Sequence, residues 1–147
     1  MNKVFIQIAT IYLAGITGLY KGVPAGFALQ ASPYLTATFT ALGSLTTVFV
    51  LYFSGSQVKN WFISKYGKKK AEKSKGRFTA IMEKYGVVGL GIFATGLIGP
   101  IVTVILGLML IKNSKRLLLF LSIGILFWSA ALTIIASYSL ELLKTIF

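Results

Sequence analysis

Side chains that carry much of protein chemistry are absent or scarce in this chain. It has no cysteine, no histidine and only three acidic residues in 147 positions. Disulfides are therefore excluded, and the usual ligands of zinc and haem sites are missing.

The three acids do not form a carboxylate pair inside an apolar segment. Glu72 and Glu83 lie in a basic stretch, and Glu141 lies close to the last residue. The residues needed for acid–base catalysis by paired carboxylates are therefore absent, as are those for carboxylate-rich Ca or Mg sites. The sequence predicts no catalytic residue, no metal site and no cofactor, and thus not an enzyme.

Apolar residues are abundant by contrast. They make up 56% of the chain, although its formal net charge is +12. The apolar runs reach membrane-spanning length and exceed what a chain of this size could bury in one water-soluble core. We therefore expect an all-α integral membrane protein.

Four apolar blocks follow one another along the chain: Val4–Ala31, Tyr34–Phe53, Val87–Ile111 and Leu117–Leu140. The second and fourth have about the twenty residues that a helix needs to cross ~30 Å of hydrocarbon. The first and third are longer and are interrupted by glycine and proline, which favour a turn or a break. Each long block is predicted to be two half-helices, with helix N-termini at Gly22–Ala25 and Pro100–Thr103.

The pattern occurs twice. Ile11–Tyr52, shifted by eighty-one positions without a gap, falls on Ile92–Thr133. The superposed glycines are Gly15/Gly96, Gly18/Gly99, Gly26/Gly107 and Gly43/Gly124. Repeated, interrupted membrane segments are typical of transporters. We expect one membrane domain made of repeat 1 (about 4–55), a basic linker (about 56–85) and repeat 2 (about 86–140).

Two membrane topologies compete. In the four-span topology each block crosses once; in the hairpin topology blocks one and three are re-entrant and only blocks two and four cross. Nine lysine and arginine residues between Ser56 and Tyr85 predict a cytoplasmic linker. The hairpin topology keeps Lys112, Lys115 and Arg116 on the same side, so it is favoured, and it implies an inverted repeat. The four-span topology stays open.

Several segments carry motifs of a known family. Gly18–Gln30, followed by Gly43-Ser44 in a spanning block, resembles an "E-x-R-G-A-I-P-x-G-x-A-L" segment. Lys84–Leu90 and Gly96–Pro100 resemble a "K-Y-G-x-x-G-L" segment and a second Pro/Gly-rich tip. These are motifs of the small multidrug export family, which the chain therefore resembles. The resemblance covers about residues 10 to 140. It implies the layout of the DedA/VTT group, two opposed re-entrant hairpins each followed by crossing helices, a transporter-like or lipid-translocating role, and the bacterial inner (cell) membrane.

The chain departs from the family pattern at the first tip. Leu19 stands where the family has an acid and Lys21 where it has an arginine. The missing carboxylate argues against proton-coupled exchange there. A cation at membrane depth usually faces a cavity and serves a function, so Lys21 is expected to attract an anionic group. The alternative is that Lys21 reaches to the headgroup region.

The residues expected to form a substrate site are Lys21, Gly22, Pro24, Ser44, Thr47, Gly96, Gly99, Pro100, Thr103 and Ser129. Two structural alternatives remain. Gly18, Gly22 and Gly26 are also spaced for close helix packing, and the hydroxyls can bond to helix carbonyls.

The basic linker is predicted to contain a helix that lies in the inner interface. Its expected contacts with anionic lipid headgroups are Lys59, Trp61, Lys65, Lys68, Lys69 and Lys70. Because cytoplasmic retention accounts for the positive charge, we expect no nucleic-acid partner.

Two functional hypotheses follow. The first is a transporter or lipid-translocating protein that moves an anionic or amphiphilic small molecule through a site between two hairpin tips. The second is a non-transporting membrane scaffold of four packed helical segments. Two crossings enclose little volume, which is compatible with a homodimer.

Overall fold

The chain is almost entirely helical in its described part. The computed structural model describes residues 2–110 and 114–146, apart from some side chains between 56 and 74 and those of 109, 110 and 114. Within these residues there is no β-strand. The helices are α1 (Lys3–Thr17), α2 (Leu19–Ala28), α3 (Pro33–Gly89), a π-helical turn (Leu90–Ala94), α4 (Thr95–Leu97), α5 (Pro100–Leu110) and α6 (Ser114–Ile146). The all-α prediction is confirmed for the described residues.

Three helical segments are long and apolar enough to cross a membrane, namely Pro33–Gly55, Lys75–Leu97 and Lys115–Ile146. They indicate a membrane-associated protein. The first and third contain predicted blocks two and four. The second covers the end of the predicted linker and the start of block three. Its basic residues, Lys75, Arg77 and Lys84, all lie in the part that was predicted as linker.

Both long blocks are broken, as predicted, and the breaks fall on superposed glycines of the repeat. α1 and α2 are separated by Gly18 at φ +137°, and Gly99 at φ +98° precedes α5. Only glycine adopts such angles without steric cost. The two copies therefore share a break at the same register.

The predicted start of the second half-helix is right in one copy and wrong in the other. α5 begins at Pro100, as predicted. α2 begins at Leu19, so Gly22 already donates its backbone N–H to Gly18 O and Pro24 lies inside the helix. The reason is that the chain can turn at Gly18, whereas Pro24 only removes one backbone donor.

α1 and α2 form a helical hairpin. The Gln7 amide donates from Nε2 to the Leu29 carbonyl over 2.7 Å. In one straight helix these residues would be separated by roughly 33 Å, at ~1.5 Å per residue. Block one therefore folds back at Gly18 and returns to the height of its own start.

α3 begins with a proline at its first position, where the missing N–H costs nothing. Ser32 precedes it and accepts from Leu35 N on its Oγ at 3.4 Å. Far along the helix, Gly55 and Gly86 have positive φ values of 47° and 64°. These glycines stand next to the linker boundaries expected from the sequence.

The chain divides into two compact units. Unit 1 comprises Met1–Thr46 and Leu126–Phe147, and unit 2 comprises Thr47–Ile125. Each unit thus contains one broken block and the first part of the helix that follows it. Unit 1 also contains the C-terminal part of α6, and unit 2 the basic part of α3.

The broken block of unit 2 also folds back. A Cβ added at Gly91 would meet Phe120, and one added at Gly107 would meet Leu117, so both glycines lie against one turn of α6. The glycines are sixteen positions apart, which is roughly 24 Å along a straight helix. The two arms therefore converge on the same part of α6.

Candidate functional site

A ridge of three hydroxyl side chains runs along α3 in unit 1. Thr36, Thr40 and Ser44 recur every four residues, on one helix face, and all three are fully buried. We call these three residues the hydroxyl ridge.

The hydroxyl ridge packs against glycines of the α1–α2 hairpin. A Cβ added at Gly26 would collide with the Thr36 side chain, and one added at Gly22 would lie 2.7 Å from Thr40 Oγ1. Gly15 approaches the Thr40 backbone, where an added Cβ would lie 2.8 Å from the carbonyl oxygen. Small residues are needed here because the helices approach at backbone distance. Gly18 thus allows the break between α1 and α2, while Gly22 and Gly26 allow α2 to pack closely against α3.

The three hydroxyls differ in their hydrogen bonding. Thr36 Oγ1 donates to Ser32 O at 3.1 Å, within its own chain segment. Ser44 Oγ donates to Gly15 O at 2.9 Å and so joins α3 to α1. Thr40 Oγ1 is buried and has no partner among the described residues. An unpaired buried hydroxyl costs about 1–3 kcal/mol, so its presence calls for a reason.

The same positions are apolar in the other copy. Their repeat counterparts on α6 are Leu117, Leu121 and Ile125, which are equally buried. The contact of Gly107 with Leu117 matches that of Gly26 with Thr36. The two copies therefore share a packing arrangement, but the buried ridge is polar in unit 1 and aliphatic in unit 2.

α6 joins unit 1 through hydroxyls as well. Ser129 Oγ donates to Ala37 O at 2.7 Å, and Thr133 Oγ1 donates to Ser129 O at 2.8 Å. Ser129 and Thr133 are both buried. The serine therefore cross-links α6 to α3, as the structural alternative for such hydroxyls predicted.

Lys21 is exposed on α2, three residues beyond the break. It lines neither the cavity described below nor the hydroxyl ridge. An exposed lysine beside a helix break is compatible both with attraction of an anion and with extension to a headgroup region.

The other predicted site residues divide between the units. In unit 1 Gly22, Ser44 and Ser129 are buried and Pro24 is exposed; in unit 2 Gly96, Pro100 and Thr103 are buried, while Gly99 and Thr47 are half-buried. Thr103 donates from Oγ1 to Gly99 O at 2.7 Å, closing the first turn of α5. Its hydroxyl is thus committed to the helix end.

Unit 1 contains a cavity of about 630 Å³ that sequence analysis did not predict. Its lining residues are Phe27, Gln30, Ala31, Pro33, Ser137, Leu140, Glu141 and Lys144. They come from the turn between α2 and α3 and from the last turns of α6. The sequence carried one indication of this region. Gln30 follows the C-cap residue of α2, at a position where glycine or asparagine is usual.

The basic part of α3 is helical, and its location in the membrane interface stays a prediction. Trp61, Lys65 and Lys69 are exposed, and Lys65 Nζ lies 4.8 Å from the centre of a Trp61 ring. The side chains of Lys59, Lys68 and Lys70 lie outside the described residues. Phe78 was expected in a linker, yet it is fully buried.

No protein-family model, curated protein or solved structure matches the chain. The resemblance to the small multidrug export family stays a prediction from the segments quoted above.

Proposed function

We propose that this protein is a small membrane transporter or lipid-translocating protein with the layout of the DedA/VTT group, and that it moves an anionic or amphiphilic small molecule. The observation that carries the proposal is the repeated break at Gly18 and Gly99, each followed by a half-helix. Membrane backbone is broken where protein or a watery cavity satisfies its polar groups, and transporters use such breaks to bind substrates.

The proposal includes re-entrant hairpins inserted in opposite senses. The bond from Gln7 to the Leu29 carbonyl supports re-entry, because it brings the start of block one beside its end. The cavity supports it too, since Gln30 and Lys144 line the same space. In a four-span topology these two residues would lie on opposite sides of the membrane. In the hairpin topology they lie on the same side.

The polar residues of unit 1 support a substrate role for the first hairpin. The hydroxyl ridge is polar where its counterpart is aliphatic, and Lys21 follows the break of the same hairpin. A cation near a helix start favours phosphate or carboxylate groups. We include a location in the bacterial inner membrane, a cytoplasmic segment 56–85 that binds anionic lipids, and a homodimer in the proposal.

Reconstituted protein tests transport directly. Liposomes carrying purified protein are loaded with fluorescent phosphatidylglycerol, and the fraction of probe reached by an impermeant quencher is followed over time. We expect Lys21→Met to slow the exchange about tenfold or more, because the anion loses its charged partner. Lys3→Met, which removes a charge at the start of α1 and far from the break, is the matched control. Exchange at the wild-type rate in Lys21→Met would remove Lys21 from the mechanism.

A non-transporting scaffold is the second candidate, and one observation favours it. The hydroxyl ridge fits closely against Gly22 and Gly26, with no cavity between them among those described. A scaffold would leave every probe in the liposome assay at the rate of protein-free vesicles. That outcome, with anionic and cationic probes alike, would replace the transport proposal.

A further inference from the structure

The cavity of unit 1 has two walls of different origin. One wall comprises the end of α2, the turn after it and the start of α3, with Phe27, Gln30 and Pro33. The other is the end of α6, with Ser137, Glu141 and Lys144. Its volume of about 630 Å³ lies within the range of small-molecule sites.

The α6 wall presents one negative and one positive charge that do not neutralise each other. Glu141 and Lys144 are three residues apart on the helix, yet in the described chain neither side chain forms an ion pair. Only the backbone carbonyl of Glu141 is used, as the acceptor for Thr145 Oγ1 at 3.0 Å. Both charges remain available to a ligand.

The opposite wall presents an amide from an unusual backbone position. Gln30 has φ +54° and is the one residue other than glycine with a positive φ in the part of the chain that the structure describes. The conformation closes the end of α2, where Gln30 N donates to Phe27 O at 3.0 Å. L-residues avoid this region, and glycine would occupy it without cost. The two bonds of this helix end, Gln30 N to Phe27 O and Ala31 N to Gly26 O, hold Gln30 in place as a lining residue of the cavity.

We infer that this cavity binds a compact zwitterion, a molecule with an ammonium group and an anionic group a few ångströms apart. Glu141 would face the ammonium and Lys144 the anion, while the Gln30 amide would bond to either group. Phe27, Pro33 and Leu140 would contact the carbon chain between them. The inference concerns binding alone and does not depend on transport.

The ligand test compares charge at constant size. The full chain, purified in a nonionic maltoside, is titrated calorimetrically with taurine, ethanesulfonate and ethylammonium. A fourth titration uses dihexanoylphosphatidylcholine, which carries a zwitterionic headgroup on a lipid. We expect saturable binding of taurine or of the short-chain lipid at least about tenfold tighter than of either singly charged probe. Taurine binding would identify a free solute, and binding of the lipid alone a headgroup.

Two outcomes of this comparison overturn the inference. One is that neither zwitterion binds saturably. The other is that ethanesulfonate or ethylammonium binds as tightly as the zwitterions, which would mean that a single charge suffices.

Variants test the assignment of the groups. Glu141→Gln and Lys144→Met should each weaken zwitterion binding about tenfold, whereas Lys3→Met, away from the cavity lining, should leave it unchanged. Gln30→Gly is a variant that we expect to fold, because glycine adopts a positive φ without steric cost. We expect its melting temperature to hold or rise while binding falls. Wild-type binding by Gln30→Gly or by both charge variants would contradict the inference.

Discussion

Thr40 combines two properties that rarely coexist in a membrane helix. Its side chain is fully buried, and its hydroxyl has no partner in the described part of the chain. Threonine in a helix usually donates to the carbonyl four residues earlier, as Thr36 and Thr38 do here. The hydroxyl of Thr40 points instead at Gly22, so it contributes shape to the packing without a hydrogen bond.

Valine has nearly the shape of threonine and lacks the unpaired hydroxyl. We expect Thr40→Val to leave stability unchanged or to raise it by about 1–2 kcal/mol, because no bond is lost and a buried polar group is removed. Ser44→Ala is the matched comparison and should cost about 1 kcal/mol, since it removes the bond to Gly15 O.

Unfolding of both variants in the same micelles, followed by circular dichroism, gives the comparison. A larger loss for Thr40→Val than for Ser44→Ala would mean that Thr40 has a bonding partner after all.

At Gly43, α3 approaches the backbone of α1. An added Cβ would lie 2.9 Å from Ile16 N and 3.0 Å from Gly15 C, with the Tyr12 carbonyl nearer still. We expect Gly43→Ala to destabilise the protein by about 1–3 kcal/mol, because backbone atoms cannot move aside as a flexible side chain can.

Gly76→Ala is the control, since an added Cβ there meets nothing within 4 Å. It should be neutral or stabilising by up to about 1 kcal/mol, from the better helix propensity of alanine. Denaturant titrations of the two variants provide the free energies. Equal stability of both variants would show that the helices are farther apart than described.

In the α1–α2 hairpin, local sequence predicts the break, and contact between the two helices accompanies the return of the chain. Neither helix alone spans the ~30 Å of a bilayer, since α1 has 15 residues and α2 has 10. The break itself was predictable from glycine and proline in a long apolar block. Its position at Gly18 followed from which residue could adopt φ +137°, and the return of the chain depended on the contact between Gln7 and Leu29.

Because the chain has no cysteine, pairs of introduced cysteines can test the α1–α2 hairpin by cross-linking. In a Gln7→Cys/Leu29→Cys variant we expect a short, flexible bis-maleimide to join the two thiols, because the Gln7 amide reaches the Leu29 backbone. A Gln7→Cys/Tyr20→Cys variant should not cross-link, since Tyr20 lies beside the break at the other end of α2. Mass spectrometry of the intact protein gives the result, since a joined pair carries a single linker and an unjoined pair carries one linker on each thiol. Cross-linking of the second pair but not the first would contradict the hairpin.

The two competing membrane topologies place the two ends of α6 on opposite sides of the membrane. Lys115 lies in the first turn of α6 and Lys144 in its last turn, and both side chains are exposed. With re-entrant hairpins and a cytoplasmic basic segment, Lys115 lies inside and Lys144 outside. Four plain spans reverse the two positions.

Single cysteines at these positions distinguish the topologies in intact cells. A membrane-impermeant maleimide should label Lys144→Cys and not Lys115→Cys, with detergent-opened cells as the control that both react. Labelling of Lys115→Cys alone would support four spans and remove the basis for opposed insertion of the repeats.

The apolar blocks, the presence of a break in each long block and the register of the repeat were readable from residue order, because span length, proline and glycine act over a few neighbouring positions. The position of the first break, at Gly18 and not at Gly22–Ala25, was not readable in this way. Lys75–Leu97 was not predicted as a candidate span because the charged residues of its first half, up to Lys84, placed that half in the basic linker. The unpaired hydroxyl of Thr40 and the cavity beside Gln30 depended on residues that are distant in the chain. Those features came only from tertiary packing, since burial and cavity shape arise when separate helices meet.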